Sequence, residues 1–147
     1  MIQIRNAEKS DIETLIELLA QLFQIEIDFQ VNPDKQRAGL ELLLNSNNAQ
    51  IFVAQHDDGQ IVGMCSVQIL ISTAEGAKVG FVEDLIVSSA WRGQGIGKKL
   101  LQHLQNWASA QGLKRLQLLA DKNNQAALDF YARQDWQMTQ LIALRKL

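Results

Sequence analysis

The sequence predicts one mixed α/β domain whose elements run in the order β-α-α-β-β-β-α-β-α-β. Three observations predict it. Apolar residues recur at three- and four-residue steps in several stretches, as on one face of a helix. Between them lie short apolar runs rich in Val, Ile and Phe and bounded by turn residues. A glycine-rich turn, Arg92 to Gly97, joins one such run to one such helix.

Ile2 and Ile4 alternate with polar neighbours and make a short first strand. Ser10 and Glu13 form a capping-box pair, Ser-x-x-Glu. Ile12, Leu15, Ile16, Leu19, Leu22 and Phe23 then keep helical spacing. The period is lost from Glu26 to Pro33. Pro33 is the one proline of the chain and suits the first turn of a second helix, with Asn32 as its cap. That helix carries Leu40, Leu43 and Leu44 and fades in the polar run Asn45 to Asn48. Ile51 to Ala54 is a buried strand, His56 to Gln60 a turn, and Ile61 to Ile71 the returning strand of a hairpin. After a loop at Ser72 to Gly76, Ala77 to Val87 is the next strand. Ile96, Leu100, Leu101, Leu104, Trp107 and Ala108 share one face of the helix after it, and Gly112 ends that helix. Leu113 to Ala120 is a strand parallel in sense to Ala77–Val87, because a helical crossover connects the two. Asn124 to Gln134 reads as a short helix and Trp136 to Leu144 as a final strand.

The 147 residues suffice for one domain with a full core, and no linker or low-complexity tract divides 1–147. A net charge of −2 gives no basic surface for nucleic acid. No apolar run approaches the roughly 20 residues of a membrane span. The first residues alternate like a strand and lack a signal-peptide core, so the cytoplasm is the default expectation. Cys65 is the only cysteine, which excludes an internal disulfide and a cysteine metal site. No metal is expected. His56 and His103 are isolated and read as surface residues.

The chemistry concentrates where strand Ala77–Val87 turns into the next helix. The first turn of a helix has backbone N–H groups without intrahelical partners, and the helix dipole adds positive potential there. Gly93, Gly95 and Gly97 carry no Cβ, so a bulky anion can approach those groups. Arg92, Lys98 and Lys99 add positive charge. The turn therefore points to phosphate, and to more than one. A P-loop would need Gly where Arg92 stands and Ser or Thr where Lys99 stands. A dinucleotide fingerprint would need Gly-x-Gly-x-x-Gly, whereas the spacing here is Gly93-x-Gly95-x-Gly97. Both common nucleotide motifs fail.

Arg92-Gly93-Gln94-Gly95-Ile96-Gly97 does resemble the pyrophosphate loop of the GNAT (general N-acetyltransferase) superfamily, Arg/Gln-x-x-Gly-x-Gly/Ala. The second signature of that family, Asn-x-x-Ala-x-x-Phe/Leu-Tyr, is similar to Asn124-Gln-Ala-Ala-Leu-Asp-Phe-Tyr131. It lies a strand and a loop further on, as in the family. The resemblance implies a mostly antiparallel sheet with helices on both faces and a splayed parallel strand pair. It implies acetyl-CoA as acetyl donor, with the pyrophosphate on Arg92 to Lys98. It puts the pantetheine arm along Leu85, Ile86 and Val87, with a backbone N–H near Val87 on the thioester carbonyl and Asn124 on the cofactor. The family usually ends this last helix with Gly-Phe. Here Asp135-Trp136 stands instead, and because Asp tolerates a left-handed backbone a retained turn is expected.

Acetyl transfer to an amine requires a proton for the leaving thiolate and a base for the ammonium. The resemblance assigns the acid to Tyr131, the only tyrosine. A phenol titrates near 10, close to an alkyl thiol, which suits that exchange. Some members carry a glutamate near the position of Leu119, which is apolar here. Glu83 is the better candidate base, since Glu83-Asp84 resembles the acidic pair of diamine and polyamine acetyltransferases. Strict alternation would put Glu83 and Asp84 on opposite faces unless a bulge intervenes. The segment after the first helix shapes the acceptor site in this family, so Glu26 and Asp28 join Glu83 and Asp84 as candidate contacts of a cationic amine. Two other functions stay open, a transferase of protein N-termini or lysines and a non-catalytic acyl-CoA-binding domain. The sequence also leaves the acceptor unnamed, and whether the chain is a homodimer.

Overall fold

In the computed structural model, which describes residues 1–147, a five-stranded sheet runs in the order β1-β2-β3-β4-β5. The strands are β1 (Ile2–Asn6), β2 (Ala49–His56), β3 (Ile61–Ser72), β4 (Ala77–Val87) and β5 (Leu116–Leu118). The first four pair antiparallel, each with its neighbour. β5 comes after a helical crossover and lies parallel to β4. Gly80 N–H donates to Arg115 O at 2.8 Å and Lys114 N–H to Lys78 O at 2.9 Å. Helices α1 (Ile12–Ile25) and α2 (Pro33–Leu44) cover one face and α3 (Ile96–Ala110) the other. α4 (Gln125–Arg133) comes after β5.

Alternation along the strands supplies a core on each face. Ile51, Val53, Met64 and Ile86 point to α1 and meet Leu15, Ile16, Leu19 and Leu22. Phe52, their neighbour in β2, points the other way and is fully buried under α3. Its ring meets His103 at 4.9 Å and Trp107 at 5.9 Å, edge to face. Burying an aromatic ring of this size contributes about 2–3 kcal/mol, more than any hydrogen bond in the same layer.

The histidines correct the expectation of isolated surface residues. His103 is half-buried on Phe52, and His56 meets the Trp91 ring at 4.8 Å, tilted by 50°. Neither contact shows in local sequence, because each partner comes from another element.

Helix ends were legible in part. Asn32 does cap α2, its Oδ1 accepting from Lys35 N–H at 3.2 Å. The capping box stands two residues earlier, on a 3-10 turn (Lys9–Asp11) that leads into α1. It joins Glu8 and Asp11 rather than Ser10 and Glu13. The cause is Arg5, whose guanidinium holds Asp11 at 2.8 and 3.0 Å while Asp11 accepts Glu8 N–H at 2.8 Å. That arrangement keeps the nearly buried Asp11 carboxylate below its usual range.

α3 closes on a Schellman turn: Leu113 N–H donates to Ala108 O and Gly112 N–H to Ser109 O, with Gly112 at φ +76°. Leu113 thus serves the cap, which is one reason β5 is only three residues long and not the Leu113–Ala120 expected.

The chain divides into two compact units, Met1–Gln117 and Leu118–Leu147. In the second, α4 ends on the same Schellman pattern with Asp135 in the glycine position. Trp136 N–H donates to Tyr131 O at 3.0 Å, Asp135 N–H to Ala132 O at 3.1 Å, and Asp135 holds φ +66°. The retained turn is present. The final strand Trp136–Leu144 is not: residues 136–147 have no regular secondary structure, and Met138, Ile142 and Leu144 are exposed. Alternation states which side chains would share a face, whereas a strand also needs an edge to pair with.

Candidate active site

β4 ends at Val87, and four hydrogen bonds and one ring contact fix the turn beyond it. Ser88 N–H donates to Val62 O at 2.8 Å, and Ser89 N–H to Gln21 Oε1 of α1 at 3.2 Å. Trp91 N–H closes a single 3-10 turn on Ser88 O at 2.8 Å, and its ring rests on His56. Arg92 Nε reaches back to Val87 O at 3.0 Å. Arg92 therefore has a structural task beside the anion contact expected of it, and its two terminal nitrogens remain for a ligand.

Gly93 and Gly95 come next, at φ +77° and +80°, left-handed values that L side chains seldom adopt. A Cβ added at either would meet nothing within 4 Å, so backbone conformation, not crowding, requires glycine here. Gly95 is the N-cap of α3 and offers no side chain to accept a bond. Lys99 N–H is the first to bond within the helix, to Gly95 O at 3.1 Å. The N–H groups of Ile96, Gly97 and Lys98 thus belong to an uncapped, exposed first turn flanked by Arg92, Lys98 and Lys99. Open backbone donors, free space above the glycines and three cations fit a pyrophosphate. The Ile96 side chain itself is buried under the helix at 2% exposure, so only its N–H can serve.

Upstream, β4 carries the irregularity on which the acidic pair depends. Ser66 pairs with Glu83 and Met64 with Ile86, so two steps on β3 face three on β4. This is a β-bulge, and Asp84 within it holds φ +58°. The extra residue resets the alternation. Glu83 shares the face of Ser66, and the Ser66 hydroxyl draws the Asp84 carboxyl to that face as well, at 3.3 Å. The bulge also sets backbone direction. Ser88 N–H points to β3, so the N–H of Val87, one residue earlier, points away from β3. On that side β5 ends at Leu118, while β4 runs on through Leu85, Ile86 and Val87.

Neither acid takes part in any of the protein's ion pairs. Glu83 lies at the surface and Asp84 is mostly buried beside Cys65 and Ser66. Burial holds the Asp84 carboxyl above the usual carboxylate range, partly offset by the Ser66 hydroxyl. Glu83 is likewise raised, by loss of solvent and then by the charge of Asp84. The same surroundings push the Cys65 thiol up to about 12, which leaves it an inert, neutral core group. Because both carboxyls hold protons more tightly folded than unfolded, their contribution to stability is present at low pH. It is lost as pH rises through their raised folded values. Asp84→Asn keeps the acceptor for Ser66 and tolerates the left-handed backbone. It should raise Tm at pH 7, by about 2–4 °C per kcal/mol relieved, and the gain should shrink near pH 4. Thermal unfolding at the two pH values checks this.

Glu26 and Asp28 lie in the turn after α1, where Phe29 N–H bonds to Glu26 O at 3.4 Å and the Phe29 ring meets Phe23 at 5.5 Å. Asp28 is exposed and Glu26 half-buried. In the second unit, Asn124 is the N-cap of α4, its Oδ1 accepting from Ala127 N–H at 3.1 Å, which leaves the amide Nδ2 as its free donor. Tyr131 lies on α4 with its ring 5.4 Å from Phe130 and 6.0 Å from Trp136. No group of three or more His, Cys, Asp or Glu is placed to hold a metal ion, and no helix is long and apolar enough to cross a membrane. One residue of the site, Ser66, escaped the sequence reading. Its signal was there: it is the one hydroxyl in the apolar run Ile61–Val67.

Comparison with known proteins bears on this site. The family model described as Acetyltransferase (GNAT) family matches residues 13–136. The chain is 26% identical over 137 residues to an aminoalkylphosphonate N-acetyltransferase of Salmonella typhimurium, covering 93% of this chain and 86% of the relative. It is 28% identical over 137 residues to a glucosamine 6-phosphate N-acetyltransferase of Trypanosoma brucei brucei, covering 88% and 85%. Among solved structures, one described as a transcriptional regulator from Bacillus halodurans superimposes with a TM-score of 0.87 at 26% identity, covering 100% of this chain and 99% of the other.

Proposed function

The chain belongs to the GNAT family of acetyltransferases, whose acetyl donor is acetyl-CoA, and on that footing we propose that it N-acetylates the primary amine of a small cationic molecule. One observation carries the acceptor class: Glu83 and Asp84 share a face beside the end of β4 with no counter-ion. A buried carboxylate is normally paired or protonated, and an ammonium group would supply the missing partner. Relatives named for an aminoalkylphosphonate and an amino sugar phosphate support an acceptor of small size.

In this reading each residue has one role. Arg92, Gly93, Gln94, Gly95, Ile96, Gly97 and Lys98 bind the pyrophosphate through backbone N–H groups and cationic side chains. The arm of the donor lies along Leu85, Ile86 and Val87, where the Val87 N–H, turned away from β3, polarises the thioester carbonyl. Asn124 contacts the donor through its free amide. Asp84, with Glu26 and Asp28, attracts the ammonium. Glu83 takes the proton that must leave before the nitrogen can attack, and Tyr131 gives a proton to the departing thiolate. The bonds balance: one N–C bond forms and one C–S bond breaks, while the ammonium gives up two protons on becoming an amide, the first to Glu83 and then to solvent, the second replacing through solvent the proton that Tyr131 gives the thiolate.

The test is thiol release from acetyl-CoA across a panel of amines, amino sugars and peptides. Turnover confined to cationic small amines is expected; turnover of peptides alone would replace this reading. The loop has its own test. Gly95→Asp and Gly95→Asn impose similar backbone strain and differ in charge. Calorimetry should give at least a roughly tenfold weaker CoA affinity for the Asp variant than for Asn. Equal affinities would detach the loop from the pyrophosphate.

A further inference from the structure

Ser66 is 1% exposed, and a buried hydroxyl needs partners. Both of its partners belong to the bulge. The Ser66 Oγ lies 3.2 Å from Glu83 O and 3.3 Å from Asp84 Oδ2. A hydroxyl has one proton, so the two acceptors share it. One acceptor is backbone on the near side of the bulge, and the other is the side chain of the residue held at φ +58°. A left-handed aspartate persists only where its surroundings over-determine it. Ser66 supplies that constraint, and it does so at the acid pair and nowhere else.

We infer that Ser66 is a positioning residue: it locks the bulge and fixes the Asp84 carboxyl beside Glu83, so that the two acids hold the acceptor's ammonium in one geometry. The inference rests on the reading of this pair as the acceptor site. Ser66 acts through Asp84. The titratable groups on which this carboxyl acts are few. Glu83 adjoins it on β4, and Cys65 lies on β3. The buried face of α1 is Ile12, Leu15, Ile16, Leu18, Leu19 and Leu22, none of which titrates. β5 contributes Leu116, Gln117 and Leu118.

Two measurements test it. The first needs no acceptor: carbon NMR of labelled aspartate carboxyls across pH, with the Asp84 resonance assigned by Asp84→Asn. Ser66→Ala removes a donor to the charged form, so the Asp84 midpoint should move to higher pH. The other aspartate resonances serve as internal reference. The second uses an amine that the wild type accepts. Ser66→Ala should raise the KM for the amine about tenfold and leave the KM for acetyl-CoA unchanged, the scale of one lost hydrogen bond to a charged group. Ser66→Cys keeps the volume with a weaker donor and should fall between the two in both measurements; it stands in if the Ala variant fails to fold. An unmoved midpoint, or a moved midpoint with unchanged amine KM, overturns the positioning role. A wild type that accepts no amine overturns the proposed function instead, while the NMR titration still decides whether Ser66 fixes Asp84.

Discussion

Tyr131→Phe is expected to lower kcat by roughly 10²-fold or more while acetyl-CoA binds about as before. That is the usual scale for removing one positioned general acid. Phe preserves much of the local structure. The Tyr131 ring lies edge-on to Phe130 and to Trp136, and its backbone carbonyl accepts the Trp136 N–H that closes α4. Phe keeps the ring contacts and the carbonyl, so the end of α4 should stay formed and the fold intact. It loses the phenolic proton, and phenols as a class titrate near 10, close to an alkyl thiol. Without it the thiolate must depart as an anion or take its proton from water. A stopped assay of thiol release gives kcat, and calorimetry with CoA gives the binding. Full turnover by the variant would reduce Tyr131 to the packing partner of Trp136.

The glycine loop was legible in the sequence because it is local: strand, turn and helix start lie within Ala77 to Gly97, and glycine at φ +77° and +80° is a backbone requirement that residue type reports directly. Asn32 and Pro33 announced α2 for the same reason. The turn at Asp135 was legible because few residues besides glycine accept that conformation. The losses were nonlocal. Arg5 moved the capping box by reaching Asp11, and Phe52 and Trp91 drew in two histidines that looked solitary. A bulge at Asp84 was compatible with the sequence, but a single inserted residue leaves the composition of β4 unchanged. Only the register against β3 reveals it. Ser66 went unread because a serine in an apolar strand has meaning only once its partner across the ladder is known. The strand expected at Trp136–Leu144 failed for the converse reason: its alternation is clear, but pairing is a property of two segments.

That bulge governs the other large effect expected. Glu83→Gln should depress kcat/KM for an accepted amine most at neutral pH and progressively less as pH rises. A protonated amine cannot attack a thioester, so the reaction needs a base until free amine becomes abundant. Glutamine keeps the shape and a hydrogen bond but removes basicity and charge. With Glu83 as base, the surroundings of Glu83 should set the position of the wild-type rise. Loss of solvent and the neighbouring Asp84 both hold its proton on, so its carboxyl loses that proton at a higher pH than an ordinary glutamate. The rate should therefore climb with pH through that raised value and then through the titration of the amine, and the apparent values would belong to the coupled pair. Asp84→Asn removes the repelling charge, so with Glu83 intact it should shift the acid limb to lower pH. Its stronger consequence should be a raised amine KM, since an ammonium then faces one acid instead of two. Superimposable pH–rate profiles for wild type and Glu83→Gln would remove Glu83 as base. Asp84, mostly buried and also raised, would be the next group to test, and a flat response in both variants would leave the proton to water.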